Sequence, residues 1–242
     1  MSQAAPATLM LLPGLNCDAA VWAPQLDHLK GQVRCAIPAW GLRDSLVEMA
    51  QQVLQEAPTE RFNLAGHSMG GRVALHVMRL APQRVQRLAL LSTGTHPLAQ
   101  GAAGEKEIQG RMDLLKIARE QGMRAMAQSW ARGMVHPDRL DTPLYEAVLD
   151  MLERGSAAQF AAQINALLNR PDATDLLPTI QCPTLVLTGR EDSWAGPAQH
   201  EAMAAAIPGA TLTIVEHCGH MCTMEQPEAI SQALAQWLAQ PV

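Results

Sequence analysis

The chain has 242 residues, 48% hydrophobic and 17% charged, a globular composition long enough to bury a substantial core. Its formal net charge of −5, with the cations scattered along the chain, excludes a basic nucleic-acid footprint. Residues 1–6 carry no basic side chain, and the apolar run at 9–12 is too short for a signal-peptide core or a membrane span, so a cytoplasmic protein without membrane contact is expected.

Residues 7–12 form a continuous apolar run ending at Pro13-Gly14, the pattern of a strand buried on both faces. Similar runs follow at 62–65, 88–91 and 184–188, each stopped by a glycine or a serine. Residues 211–215 are rich in β-branched side chains, and 33–37 is a weaker candidate stopped by Pro38. Helical spacing appears at 45–56 (Leu46, Met49, Val53, Leu54), 71–80 (Val73, Ala74, Val77, Met78) and 227–238 (Ile230, Leu234, Trp237). Strands alternating with helices predict an α/β protein with a mostly parallel sheet, wrapped on both faces.

The alternation breaks between 96 and 178. That stretch has helical periodicity (Met112, Leu115, Met123, Met126, Trp130, then Leu144, Val148, Leu152) and no convincing strand. It reads as a helical cap inserted into a core made of 1–95 and 179–242; the alternative is a helical part of the core itself.

The sharpest local signal is Gly66-His67-Ser68-Met69-Gly70-Gly71, a Gly-x-Ser-x-Gly nucleophile elbow between an apolar strand and a helix. The glycines allow a turn so tight that Ser68 is strained and lifted clear of the sheet. A serine hydroxyl needs a base, and His220 follows the last predicted strand, where its ring can lean toward Ser68. His217 is the fallback. His67 is expected to be packed away, and His28, His76, His96, His136 and His200 lie in helices or far from strand ends.

Asp192 follows the strand at 184–188 through Gly189-Arg190-Glu191, placed to orient the imidazole; Glu191 is its neighbouring alternative. The order Ser, Asp, His is that of the α/β-hydrolase fold. The oxyanion hole is assigned to the backbone N–H of Met69 and of Leu15, in the loop after the first strand. Five cysteines form no disulfide-like framework. Cys218 and Cys222 flank Gly-His-Met without a second ligand cluster, so neither metal nor cofactor is expected.

The segments Leu11-Leu-Pro-Gly-Leu-Asn16, Gly-His-Ser68-Met-Gly-Gly, Leu-Thr-Gly-Arg-Glu-Asp192 and Cys-Gly-His220-Met, followed by Glu225-Gln-Pro-Glu, resemble the capped α/β-hydrolase superfamily. The nearest resemblance is to small bacterial carboxylesterases, including enol-lactonases and the pimeloyl-carrier methyl ester esterase. That resemblance implies hydrolysis of a small or medium ester through an acyl-enzyme on Ser68, with His220 activating the water. Two departures stand out. Pro13 replaces the histidine usual in the oxyanion loop, and only residues 1–6 precede the first strand, so a trimmed sheet of about six strands is expected.

Haloalkane dehalogenases and epoxide hydrolases use aspartate where Ser68 stands. Perhydrolases and carbon–carbon bond hydrolases keep the same triad and stay open, as does a non-catalytic binding protein of this fold. Arg72 has two readings. In the menaquinone-pathway synthase of this superfamily an arginine follows Ser-x-Gly-Gly and binds a substrate carboxylate; otherwise Arg72 is a helix residue whose stem covers apolar surface.

With 3% aromatics and 13 methionines, the pocket is expected to be aliphatic and Met-lined. Trp194 is placed at its edge and Trp22 in the core. The cap's cations are matched by acids, favouring a small-molecule ester over a carrier protein, and nothing in the pattern selects between monomer and dimer.

Overall fold

The computed structural model describes residues 7–242. Six parallel strands, β1 Thr8–Leu12, β2 Arg34–Ala36, β3 Phe62–His67, β4 Val85–Leu91, β5 Thr184–Gly189 and β6 Thr211–Val215, pair in the order β2-β1-β3-β4-β5-β6. β1, β3 and β5 are buried along their whole length, which is why they read as mostly apolar runs; the buried Asn63 of β3 donates to the Thr8 carbonyl at 3.2 Å. The weak candidate at 33–37 shrinks to the three-residue edge strand β2.

Alternate residues of each strand point to opposite faces and seed two separate clusters. On one face Met10, Leu64, Leu88 and Val186 pack with Met49 and Val53 of α2 (Leu46–Glu56), Val73 and Val77 of α3 (Met69–Leu80) and Met203 of α8 (Pro197–Ala206). On the other, Leu9, Leu11, Ala65, Ala89 and Leu187 pack with Trp22, with Leu29 just past α1 (Ala23–His28), and with Ile230, Leu234 and Trp237 of α10 (Pro227–Leu238). Helices α1 and α8 have no counterpart in the sequence reading: the first is only six residues long, and the second is an alanine-rich segment without a clear apolar stripe.

Between β4 and β5 the chain forms α4 (Ala102–Glu120), α5 (Met123–Ala131), α6 (Pro143–Glu153) and α7 (Ala157–Leu168). These four helices enclose no core of their own. Met126, Phe160 and Ile164 join the first cluster, while Ala127, Val148 and Leu152 join the second. A short helix, α9 (Cys222–Glu225), follows β6. No helix of the described residues is long and apolar enough to cross a membrane.

Candidate active site

Ser68 sits between β3 and α3 with φ 55° and ψ −119°, a left-handed conformation that non-glycine residues rarely adopt. The turn closes only because its flanks lack side chains. A Cβ on Gly66 would lie 2.3 Å from the Gly70 carbonyl oxygen, and one on Gly70 would lie 2.2 Å from that of Leu12. The strain places the hydroxyl at the N-terminus of α3, where the helix dipole favours developing negative charge.

The structure brings Ser68, His220 and Asp192 together. His220 Nε2 is 2.8 Å from Ser68 Oγ, and Nδ1 is 2.9 Å from Asp192 Oδ2. A carboxylate can only accept, so Nδ1 carries the proton and Nε2 presents its lone pair to the hydroxyl. The Asp192 side chain is fully buried, and its Oδ1 accepts from the backbone N–H groups of Trp194 (3.0 Å) and Ala195 (2.9 Å). Burial works to raise its pKa; the charge and hydrogen bond of His220, with those two N–H groups, prevail and hold the carboxyl well below its ordinary range.

The two alternatives point elsewhere. Glu191 accepts the Cys218 N–H, and His217 packs edge-on against His136. His67 is buried, as expected. His200 corrects the sequence reading, which set it far from any strand end: its Nε2 accepts the Thr93 N–H just beyond β4. Helix α8, absent from that reading, carries it there. Among the described residues no three His, Cys, Asp or Glu side chains converge as metal ligands.

Glu225 has a larger part than the sequence suggested. Its buried carboxylate accepts from the backbone N–H groups of Gly219 (3.1 Å) and Met221 (3.0 Å), on either side of His220, and from His136 (2.7 Å). The Met134 carbonyl takes the N–H groups of His220 and Met221. The loop carrying His220 is thus bonded to the segment after α5. Its one sequence signal was the acid five residues beyond His220.

Leu15 and Met69 lie beside Ser68, and among the described residues neither backbone N–H donates to a protein acceptor. Trp40 Nε1 donates to the Pro13 carbonyl at 3.1 Å, fixing the loop where Pro13 stands. Asn16, at φ 56°, donates its N–H to Gln163 Oε1 (2.7 Å) and its side-chain amide to the Leu152 carbonyl (2.8 Å).

Ser68 opens into a cavity of about 490 Å3. Its lining overturns the expectation of an aliphatic, Met-rich pocket. Trp194 stacks on Trp130 at 5.7 Å and 16°, Trp130 packs on Phe160, and Trp194 lies 5.0 Å from the His220 ring. Met69 is the lining methionine, whereas residues such as Met10, Met49 and Met78 fill the core. Composition averages over the chain; here three of its eight aromatic side chains gather at one site. Trp22 is fully buried in the core.

Four cations, Arg72, Lys106, Arg111 and Arg170, line the same cavity against one carboxylate, Glu107. Glu107 is held bidentately by Arg170 and also accepts from Arg111. Burial opposes its charge, yet these guanidiniums pull its pKa down to about 2. Arg72 donates to the His96 carbonyl at 2.8 Å, and among the described residues no carboxylate pairs with it. Burial, with repulsion from Arg170 and Arg111 outweighing the attraction of Glu107, pushes its pKa down to about 9. A charge held at such a cost is stabilised by an anion.

A family model described as the alpha/beta hydrolase family matches residues 9–233. The chain belongs to that family. Among similar solved structures is a thermophilic esterase from Thermogutta terrifontis, 27% identical, covering 96% of this chain and 89% of that one with a TM-score of 0.84. Another is the enol-lactonase from Burkholderia xenovorans LB400, 22% identical, covering 99% and 94% with a TM-score of 0.83. A curated relative, the 2-hydroxy-6-oxononadienedioate/2-hydroxy-6-oxononatrienedioate hydrolase of Escherichia coli K12, is 24% identical over 269 aligned residues, spanning 97% of this chain and 88% of that protein. This alpha/beta hydrolase therefore resembles small bacterial esterases, an enol-lactonase and an oxo-dioate hydrolase alike.

Proposed function

We propose that this alpha/beta hydrolase cleaves a carboxylic ester of a small molecule through an acyl-enzyme on Ser68, and that its substrate carries an anionic group. The observation that carries the reading is the continuous hydrogen-bond line from Asp192 through His220 to Ser68 at the wall of the 490 Å3 cavity. In acylation, His220 Nε2 takes the Ser68 proton as Oγ attacks the ester carbonyl carbon, and the C=O π pair moves onto oxygen. Leu15 and Met69 supply N–H donors to that oxygen, and the imidazolium formed is stabilised by Asp192. Collapse expels the alkoxide, which takes the proton from His220. No cofactor enters these steps.

Arg72 gives the anionic group its place. A guanidinium in the cavity wall without a carboxylate partner matches a substrate carboxylate, and the neighbouring cations deepen the positive potential. Trp130 and Trp194 offer flat surfaces beside the reacting carbonyl. Helices α4 to α7 act as the cap over the site. The working compartment is the cytoplasm, where unpaired thiols such as Cys17 and Cys182 persist.

A panel of p-nitrophenyl esters, with and without a distal carboxylate, tests the reading. The protein should cleave them, Ser68→Ala should abolish cleavage, and undiminished activity in that variant overturns the mechanism. A second reading, hydrolysis of a carbon–carbon bond in an anionic keto acid, is favoured by the curated relative together with the arginine-lined cavity. Cleavage of such acids in preference to every ester of the panel would establish it.

A further inference from the structure

His67, next to the nucleophile, has one ring nitrogen that the chemistry above does not use. The side chain has no exposed surface, and its Nε2 lies 2.8 Å from the His220 carbonyl oxygen. A carbonyl can only accept, so Nε2 holds the proton and Nδ1 is a bare acceptor. Burial, reinforced by the His220 ring, drives the imidazole pKa down to about 4, so this neutral tautomer persists at neutral pH. Nδ1 is buried and has no hydrogen-bond partner among the described residues.

That nitrogen borders a second cavity of about 10 Å3, lined by Gly14, Leu15, Cys17, Ser68, His220 and Met221 among others. A volume of that size accommodates about one water molecule. Gly14 adds no side chain to this space: a Cβ there would lie 3.3 Å from His67 Nδ1, 3.1 Å from Ser68 Cβ and 3.6 Å from Cys17 Sγ. The same small space therefore meets a buried acceptor and the nucleophile. The His67 and His220 rings lie near each other, 5.3 Å apart between centroids, and both residues line this space.

We propose that this cavity is a water site, and that His67 Nδ1 holds there the water that hydrolyses the acyl-enzyme. The inference rests on the acyl-enzyme reading. One O–H of the water is donated to His67 Nδ1 and the other to His220 Nε2, which leaves an oxygen lone pair for the acyl carbon. As the new C–O bond forms, the carbonyl π pair moves onto oxygen, and the second proton passes to His220 Nε2. Collapse restores C=O and breaks the bond to Ser68 Oγ, which takes that proton; the acid leaves. His67 keeps its own proton throughout and acts as a positioning residue.

The experiment is rapid-quench kinetics with p-nitrophenyl acetate, measuring nitrophenol release for acylation and decay of the Ser68 acyl adduct by mass spectrometry for deacylation. Gly14→Ala fills the space but leaves His67 bonded to His220; His67→Phe removes both the acceptor and that bond. The ratio of acylation to deacylation rate should rise at least about tenfold in Gly14→Ala, because a changed oxyanion loop would slow both steps alike. His67→Phe, where it folds, should raise the ratio too. An unchanged ratio in Gly14→Ala overturns the water site. Labelling of Ser68 by a fluorophosphonate in the unmodified protein tests the acyl-enzyme separately: labelling with an unchanged ratio defeats only the water site, and absence of labelling defeats both.

Discussion

Asn16 donates its backbone N–H to Gln163 Oε1 at 2.7 Å, so the loop that presents Leu15 is bonded to helix α7. Both residues are buried. Gln163→Leu leaves that N–H without an acceptor, at a cost of about 1–3 kcal/mol. The loop stays tied to the Leu152 carbonyl through the Asn16 side chain, so it loosens without leaving the site. The expected result is a kcat about three- to tenfold lower with a smaller change in KM, since an oxyanion donor acts on the transition state. A change in KM alone would detach Leu15 from the oxyanion hole.

Asp192→Asn tests the orienting acid. The amide preserves the volume but offers Nδ1 a donor in place of an acceptor, favouring the tautomer with its proton on Nε2, which cannot accept from Ser68. Activity should fall roughly 10³–10⁴-fold, with Ser68 still in place. A fall below about tenfold would move the role to another carboxylate, and Glu191→Gln is then the variant to measure, although its carboxylate is spent on the Cys218 N–H.

What could be read in the sequence was local or repeated along one element. The elbow at Ser68 needs only its own glycines, and β1, β3 and β5 are mostly apolar because both faces are covered. Asp192 and His220 were legible from chain order and from the strands before them. The lining of the cavity was not legible in this way. Trp130 and Trp194 belong to α5 and to the loop after β5, and only the packed helices bring their rings together. The same holds for Arg170 and Arg111, which meet on Glu107: a count of cap charges balances them, while the structure turns Arg170, Arg111 and Lys106 toward the cavity. Glu225 escaped because its partners are backbone N–H groups, invisible to any residue pattern.

The charge on Arg72 gives a prediction about substrate rather than rate. Arg72→Ala should lower kcat/KM for an ester with a distal carboxylate by at least about tenfold more than for the uncharged ester of the same length, with most of the difference in KM. The difference should shrink as salt rises, less steeply than for a surface pair because Arg72 is half-buried. Equal losses for the two esters would return Arg72 to a structural role on α3.

Several groups near the site set stability against acid, and two of them, His67 and Glu107, do so in successive pH windows. His67 has its pKa lowered from 6.5 to about 4, so the unfolded chain takes a proton that the folded chain refuses. Its contribution is complete above pH 6.5 and is lost as pH falls toward 4. Glu107 has its pKa lowered from 4.5 to about 2 by Arg170 and Arg111, against the opposing effect of burial. Its contribution is present above pH 4.5 and is lost between there and 2. Urea unfolding across pH should therefore show stability declining first through the His67 window and then through that of Glu107. His67→Phe should lessen the slope between pH 6.5 and 4 and leave the lower one, and Glu107→Gln should lessen the slope below pH 4.5, where Asp192 contributes as well, and leave the upper one. A slope between pH 6.5 and 4 that survives His67→Phe would assign that acid sensitivity to another buried histidine, of which His200 is the first to replace.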